Sequence, residues 1–242
     1  VILAGRNEAR VNQMAQQYGF VQPTVHFDLE LPPLPNRGRN RSKKAYKAEQ
    51  EQMLIQKLVQ ILRENRVGAL LNIAGPFSQT AKPLIEACIA ARVHYLDVTG
   101  EIDVFEYSLS NEERDARAQK AEICVVSGVG FDVVPSDCLA KRVVQSYRDR
   151  FDGATPHSLQ LAIFFAMGGH GENKVGVSRG TLKTMVENVV HNRGKTQVRT
   201  NGTIGTVNLF SDVQELRFEP SGRNVECSAV SWGDVSTAYY ST

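Results

Sequence analysis

The sequence predicts an α/β protein, in which a doubly wound parallel sheet is followed by a second, α+β domain. Up to about residue 150, short and nearly continuous apolar runs alternate with segments of helical periodicity, as in strands buried on both faces. After Asp152-Gly153 the pattern changes to longer strands separated by glycine-containing turns. The length of 242 residues is enough for two domains, which we place at residues 1–150 and 151–242.

Hydrophobic periodicity and turn residues define the elements of the first domain. The apolar run Val1–Ala4 stops at a Gly-Arg-Asn turn, and the next segment carries apolar residues at i, i+3, i+4 and i+7. A capping box from Ser110 to Glu113 and a proline at residue 135 indicate two later helix starts. In order, we expect a strand at 1–4, helices at 8–18 and 50–65, a strand at 67–74, a helix at 80–91, a strand at 94–98, a helix at 110–121, a strand at 123–127 and a helix at 135–147.

The second domain is predicted to be a mixed sheet with one helix. Apolar runs and a Ser221-Gly222 turn indicate antiparallel strands near the end of the chain. The expected elements are a strand at 159–167, a helix at 181–191 and strands at 207–210, 213–218 and 225–231.

A basic segment interrupts the first domain. Six basic residues and no acidic residue lie between positions 37 and 47, directly after a proline-rich stretch. A nucleic-acid-binding protein would spread its basic charge over a folded face and interleave it with aromatic residues, whereas this stretch continues a proline-rich segment. We therefore expect an exposed, partly disordered insertion at about residues 31–52 and no nucleic-acid partner. A patch that binds nucleic acid or an anionic membrane surface is the alternative interpretation.

Cysteine spacing and hydropathy exclude several classes of protein. The four cysteines are widely spaced and form no Cys-x-x-Cys pair, which argues against a zinc site or a disulfide framework, so no metal is expected. A reducing compartment, cytoplasmic or organellar, is the expected location. The longest apolar run is too short to cross a bilayer, so we expect no transmembrane segment.

The carboxyl ends of the predicted strands carry the candidate cofactor-binding residues, because ligands of open parallel sheets bind there. In dinucleotide-binding domains an acid after the second strand accepts a hydrogen bond from the ribose of NAD, whereas arginine pairs with the 2′-phosphate of NADP. Arg6 therefore predicts NADP rather than NAD, the alternative being a solvated residue at a helix start. Gly5, Arg6, Asn7, Asp28, Gly75, Pro76 and Phe77 are the predicted cofactor-binding residues. The first strand and its glycine-rich turn are then expected upstream of Val1.

Four residues at strand ends are candidates for proton transfer or substrate hydrogen bonding. Tyr95, Asp97 and Glu101 alternate from a strand into a turn, and Asp132 follows Gly130-Phe131. A phenol and carboxyl groups at these positions could donate a proton to a substrate. The alternative is a structural role in turns and helix caps, including Asp132 as the N-cap ahead of Pro135.

A further candidate site lies in the second domain. Ser178, Gly180 and Thr181 open a predicted helix, whose free amide groups could bind an anionic group of a substrate. Simple capping of that helix is the alternative.

Four blocks of sequence resemble the saccharopine dehydrogenase-like oxidoreductases, whose relatives include trans-acting enoyl reductases. The blocks are "ALLNIAGPFSQTAKPLIEACIAARVHYLDVTGE" from Ala69, "GVGFDVVPSDCLA" from Gly128, "SRGTLKTMVE" from Ser178 and "SWGDVSTAYYST" from Ser231. The resemblance covers nearly the whole chain outside residues 31–52. It implies a Rossmann domain that binds NAD(P), a second mixed-sheet domain that continues past Thr242, and a phosphate loop upstream of Val1.

The resemblance also implies an activity, namely hydride transfer between NADPH and a carbonyl, imine or activated alkene. The substrate would be a small molecule or linked to a lipid. A short-chain dehydrogenase would need a Tyr-x-x-x-Lys pair, which this sequence lacks. The main alternative is a catalytically inactive nucleotide-binding scaffold that acts through protein or membrane partners. Association with a lipid surface and assembly as a homodimer are further expectations.

Overall fold

A computed structural model describes residues 1–33, 42–163, 194–211, 213–218 and 222–242. These residues form two compact units, one of residues 1–96 and 112–126 and the other of residues 97–111 and 127–242. In chain order the elements are β1 (Ala4–Gly5), α1 (Glu8–Gln17), β2 (Val25–His26), α2 (Lys43–Glu64), β3 (Ala69–Asn72), α3 (Phe77–Ala91), β4 (His94–Asp97), α4 (Ile102–Leu109), α5 (Glu112–Ala121), β5 (Val125–Val126), α6 (Val134–Arg150), β6 (Lys195–Thr200), β7 (Thr203–Asn208), β8 (Gln214–Phe218), β9 (Arg223–Cys227) and α7 (Asp234–Ser241).

The first unit has the parallel pairing expected of an α/β fold. Strands β1 and β2 pair in parallel, with Ala4 opposite Val25. A three-stranded sheet has the order β3-β4-β5, and β4 and β5 pair in parallel with Tyr95 opposite Val125. Helices α2 and α3 pack together and bury Leu54, Leu58, Leu62, Ala81, Leu84, Ile85 and Cys88. The predicted alternation of helices with parallel strands is therefore confirmed.

Helix α2 begins earlier than the expected start at residue 50. Ser42 is its N-cap, and the Ser42 hydroxyl accepts a hydrogen bond from the backbone N–H of Ala45 at 3.2 Å. Lys43 and Lys47 therefore lie in the first two turns of a helix, where Lys47 pairs with Glu51 at 3.8 Å. Residues 43–52 of the expected insertion are thus helical.

The predicted capping box at Ser110 is also wrong. Ser110 is the C-cap of α4, and its hydroxyl donates a hydrogen bond to the carbonyl oxygen of Glu106. The next helix, α5, begins at Glu112. Burial of Ile102, Val104 and Phe105 stabilises helix α4.

The second unit combines three helices with two antiparallel hairpins in its described part. Strands β6 and β7 form one hairpin, whose turn at Asn201-Gly202 has positive φ at both residues. Strands β8 and β9 form the other, with Gln214 opposite Cys227. Helix α7 packs against α4, α6 and β6. The mixed α+β character is confirmed, although residues 159–163 form no strand, and the expected helix at 181–191 lies outside the described residues. The boundary expected at residue 150 stays a prediction.

Candidate functional site

The turn after β1 presents an arginine to solvent. Gly5 lies close to α1, since a side-chain carbon at this position would stand 2.9 Å from Cγ2 of Val11. Asn7 caps α1, because its Oδ1 accepts a hydrogen bond from the N–H of Arg10 at 2.9 Å. The Arg6 side chain between them is 74% exposed and has Glu30 at 4.0 Å. Its guanidinium is therefore available to an anionic ligand.

Residues after β2 lie beside this turn. The Nε2 group of His26 donates a hydrogen bond of 2.7 Å to the carbonyl oxygen of Arg6, which connects the two strand ends. The Oδ1 atom of Asp28 accepts a hydrogen bond from the N–H of Glu30 at 3.1 Å. Asp28 and Glu30 also line a cavity of about 260 Å³ together with Leu54 and Lys57. The predicted cofactor-binding residues Gly5, Arg6, Asn7 and Asp28 are thus brought together at one sheet edge.

The turn after β3 joins that strand to α3. The Gly75–Pro76 peptide is cis, and α3 begins at Phe77 with Pro76 as its N-cap. Phe77 lies close to Gly75, with its Cε2 atom 3.8 Å from where a side-chain carbon would stand. Asn72 fixes the approach to this turn, since its Oδ1 accepts a hydrogen bond from the N–H of Ala74 at 3.0 Å. A cofactor role for Gly75, Pro76 and Phe77 stays a prediction.

Tyr95 lies in the interior of the first unit. Its side chain is 0% exposed, and its hydroxyl accepts a hydrogen bond from Nδ2 of Asn72 at 3.2 Å. Asn72 also donates to Thr80 Oγ1 at 3.1 Å, and Thr80 donates to the carbonyl oxygen of Ala74 at 2.7 Å. This buried network favours the structural alternative for Tyr95 over proton donation.

Asp97 and Glu101 belong to the second unit, where they shape one turn. Oδ1 of Asp97 accepts hydrogen bonds from the N–H groups of Thr99 at 3.0 Å and Gly128 at 2.8 Å, and the residue is 0% exposed. Glu101 is the N-cap residue of α4, and its N–H donates to Thr99 Oγ1 at 3.0 Å. Both arrangements favour the turn role.

Asp132 differs from the other three candidates because its carboxyl group is poorly satisfied. Its Oδ1 is buried and has no hydrogen-bond partner among the described residues. Burial, and then the negative charge of Asp234, raise the pKa of Asp132 from 3.8 to about 6. The N-cap of α6 is Val133, so Asp132 does not fill the capping role that was its alternative.

Asp234 is a second unusual carboxyl group, which sequence reasoning did not single out as functional. It is 7% exposed, and its Oδ2 accepts a hydrogen bond from Ser136 Oγ at 2.8 Å. Within the described ranges its Oδ1 is buried without a partner. Burial is the largest cause that raises the pKa of Asp234, opposed by the Ser136 hydrogen bond and assisted by the charge of Asp137. The sequence signal was only its place in the block from Ser231.

The remaining site predictions cannot be placed. Ser178, Gly180 and Thr181 lie outside the described residues.

In the part of the chain that the structure describes, no three His, Cys, Asp or Glu side chains are grouped so that they could hold a metal ion. None of the helices in that part is both long and apolar enough to span a bilayer.

Comparisons with known proteins identify relatives of this chain. The chain is 30% identical over 122 residues to a Mycobacterium tuberculosis (strain H37Rv) protein named as a trans-acting enoyl reductase, a match of 50% of this chain and 27% of that protein. It is 34% identical over 68 residues to a protein of Arabidopsis thaliana named as a saccharopine dehydrogenase-like oxidoreductase, covering 28% of this chain and 14% of that protein. The chain therefore spans about a quarter or less of the length of these relatives.

A solved structure and a family model complete the comparison. Apo saccharopine dehydrogenase (L-Glu forming) from Saccharomyces cerevisiae has a TM-score of 0.45 and 12% identity, covering 91% of this chain and 42% of that one. The family model of the saccharopine dehydrogenase NADP binding domain matches residues 1–126. This match confirms the resemblance noted in the sequence and NADP as the cofactor type. Since it includes more than half of the chain, the chain belongs to the saccharopine dehydrogenase NADP-binding domain family.

Proposed function

We propose that this chain is part of an NADPH-preferring oxidoreductase, which moves hydride between the nicotinamide and a carbonyl, imine or activated alkene. The single observation that carries the proposal is the exposed guanidinium of Arg6 at the carboxyl end of β1, inside the segment that matches an NADP-binding domain. The relatives named as enoyl reductases support an activated alkene as the substrate class.

The donor groups at this edge fit the adenosine end of the cofactor. A 2′-phosphate carries about two negative charges and prefers a planar guanidinium, which can donate two parallel hydrogen bonds. Arg6 is held by its neighbours, because its own carbonyl oxygen is bound by His26 and the next residue caps α1. The Glu30 carboxylate lies 4.0 Å from the Arg6 guanidinium. An anionic ligand must therefore compete with Glu30 for Arg6. Arg6 would therefore hold the 2′-phosphate, and the cavity at Asp28 would lie beside the adenosine.

Asp132 is the proposed proton donor. Its raised pKa, about 6, means that the carboxyl group keeps its proton closer to neutral pH than an ordinary aspartate does. The bound cofactor supplies the hydride. Asp132 would give its proton to the oxygen, nitrogen or carbon of the substrate that gains the electron pair, and would recover a proton from solvent.

The substrate class extends the proposal beyond the cofactor. A small molecule or a lipid-linked substrate fits an activated-alkene reductase, and the fold itself leaves both open. The proposal also includes a homodimer as the assembly of the whole protein and contact with a lipid surface as its location.

The test is a titration of the full-length gene product with NADPH and with NADH, followed by nicotinamide fluorescence. We expect tighter binding of NADPH and a loss of that preference in Arg6→Asp. Lys120→Asp is the matched control, because it makes the same charge change at an exposed position of α5. If neither cofactor binds to the wild-type protein, the oxidoreductase proposal fails and a scaffold function replaces it.

A further inference from the structure

Asp132 and Asp234 lie on either side of one buried valine. Val133 follows Asp132 directly and is 3% exposed. A side-chain carbon at Gly233, which precedes Asp234, would stand 2.3 Å from Cγ1 of Val133. The backbone that carries Asp234 therefore contacts the residue next to Asp132.

Helix α6 fixes the Asp234 carboxylate near the same point. Ser136 lies in the first turn of α6, and its hydroxyl donates the 2.8 Å hydrogen bond to Oδ2 of Asp234. The other oxygen, Oδ1, is buried without a partner in the described part of the chain, as is Oδ1 of Asp132. Two carboxyl oxygens that are satisfied by no donor among the described residues thus occur next to the start of one helix.

Val133 holds this arrangement in a backbone conformation that is rare for a branched residue. Its φ is +92°, which lies outside the regions that a valine normally adopts. The conformation is retained because Val133 packs tightly, with Cγ2 at 2.8 Å from where a side-chain carbon of Gly128 would stand. A strained backbone conformation persists only where the surrounding packing holds it. The packing around Val133 therefore also fixes the position of Asp132, the preceding residue.

Three cations on the elements packed against α7 bind groups other than the two aspartates: Lys141, Arg199, and Arg148 of α6, which donates to the carbonyl oxygen of Thr242 at 2.7 Å. On α6, Asp137 accepts a hydrogen bond from Ser241 Oγ at 2.8 Å, and its charge raises the pKa of Asp234. Lys141 of α6 donates its hydrogen bond to the carbonyl oxygen of Ser241. Glu106 of α4 pairs with Arg199 of β6, and Tyr240 of α7 donates to Glu106 at 3.1 Å. Lys141, Arg148 and Arg199 are therefore engaged with other groups.

We infer that Asp234 is a positioning residue whose buried carboxylate keeps Asp132 in its protonated, proton-donating form. The inference rests on the proposed function for the role of Asp132 as donor, but the coupling between the two carboxyl groups is a property of the folded chain alone. A carboxylate in a site of low polarity disfavours a second negative charge nearby, so the proton stays on the partner. The raised pKa of Asp132, to which the charge of Asp234 contributes, agrees with this coupling.

The experiment measures the titration of Asp132 in the full-length gene product without cofactor, by carbon-detected NMR of aspartate carboxyl groups between about pH 3 and pH 8. Asp234→Asn removes the charge and keeps an oxygen that can accept the Ser136 hydrogen bond. We expect the proton affinity of Asp132 to fall about tenfold, a midpoint lower by about one pH unit. Asp234→Glu should restore most of the wild-type midpoint, whereas Asp149→Asn, at the exposed end of α6, should leave it unchanged. An unchanged midpoint in folded Asp234→Asn overturns the inference.

A second variant keeps the question answerable if Asp234→Asn does not fold. The Ser136 hydrogen bond lowers the pKa of Asp234, so Ser136→Ala should raise the pKa of Asp234 further. The repulsion on Asp132 then weakens, and its midpoint should fall by a smaller amount. A midpoint that stays the same or rises contradicts the coupling. Because no cofactor is present, these outcomes are separate from the NADPH titration that tests the proposed function.

Discussion

The carboxyl group of Asp132 lies directly against Gly100. Oδ2 of Asp132 is 1.9 Å from where a side-chain carbon at residue 100 would stand, so no residue with a Cβ atom fits there unless Asp132 moves. Gly100 follows Thr99, whose N–H donates a hydrogen bond to Asp97 at the end of β4. The contact with Gly100 therefore places the proposed proton donor at the carboxyl end of β4.

Replacing Gly100 should therefore displace the proposed donor. In Gly100→Ala we expect a loss of about 1–3 kcal/mol in the free energy of unfolding, from overpacking, and a lower pKa of Asp132 as its carboxyl group moves toward solvent. Urea unfolding and the NMR titration measure the two effects. Gly205→Ala is the control, because nothing lies within 4 Å of the added carbon. Equal behaviour of the two variants would show that Asp132 does not depend on Gly100.

Asp132→Asn should stabilise the protein, but only above acidic pH. The pKa of Asp132 in the folded chain, about 6, exceeds the ordinary value of 3.8, so folding favours the protonated form. That contribution to stability is complete below about pH 3.8 and is lost as the pH rises through about 6. The amide should therefore match the wild type at about pH 3 and exceed it by up to about 3 kcal/mol at about pH 8. Urea unfolding at both pH values measures the difference, and equal stabilities at the higher pH would contradict the raised pKa.

Glu106 joins three elements of the second unit. Its carboxylate accepts hydrogen bonds from Arg199 on β6 and from Ser236 and Tyr240 on α7. Arg199→Met leaves this half-buried carboxylate without its cation and should cost about 3 kcal/mol in the free energy of unfolding. The double variant with Glu106→Leu should regain part of that loss.

Arg142→Met on the exposed face of α6 is the control for the Arg199 variant. Urea unfolding of the wild type, Arg199→Met, Glu106→Leu and the double variant gives the coupling energy between Arg199 and Glu106. A cost below about 0.5 kcal/mol for Arg199→Met would show that the pair behaves as an exposed one.

Glu30 should weaken the binding of the phosphorylated cofactor. It lies 4.0 Å from Arg6, and both side chains are largely exposed, so the pair is weak and competes with a ligand phosphate only modestly. In Glu30→Gln we expect NADPH to bind up to about fivefold more tightly, while NADH binding stays nearly constant. Fluorescence titration measures the affinity for both cofactors. An equal change in both affinities would show that Glu30 does not act through the 2′-phosphate.

Elements with strong local signals were predicted well. The apolar run at His94–Val98 appears as β4, and Pro135 lies in the first turn of α6 as its fixed φ allows. By contrast, β2 has two residues, and β6 contains mostly polar side chains of which only Thr196 is buried. Neither strand carries a periodic apolar pattern, so tertiary pairing rather than sequence pattern forms them.

The candidate site was predictable in part. Arg6 and Asp28 follow strands, and a rule about strand ends was enough to select them. Gly233 lies against Val133 although the two residues are about a hundred positions apart in the sequence. Spacing in the sequence therefore contains no sign of the coupling that we infer between Asp132 and Asp234. For the same reason, the burial that favours structural roles for Tyr95 and Asp97 became visible only in the folded chain.

The binding of 2′,5′-ADP and of 5′-AMP, compared by calorimetry on the full-length gene product and on Arg6→Asp, tests the central claim most directly. The two ligands differ only in the 2′-phosphate that Arg6 is proposed to hold. We expect 2′,5′-ADP to bind at least tenfold more tightly to the wild type, and the difference to disappear in the variant. Equal binding of both ligands to the wild type, or a preference that survives in Arg6→Asp, would contradict the assignment of Arg6 to NADPH.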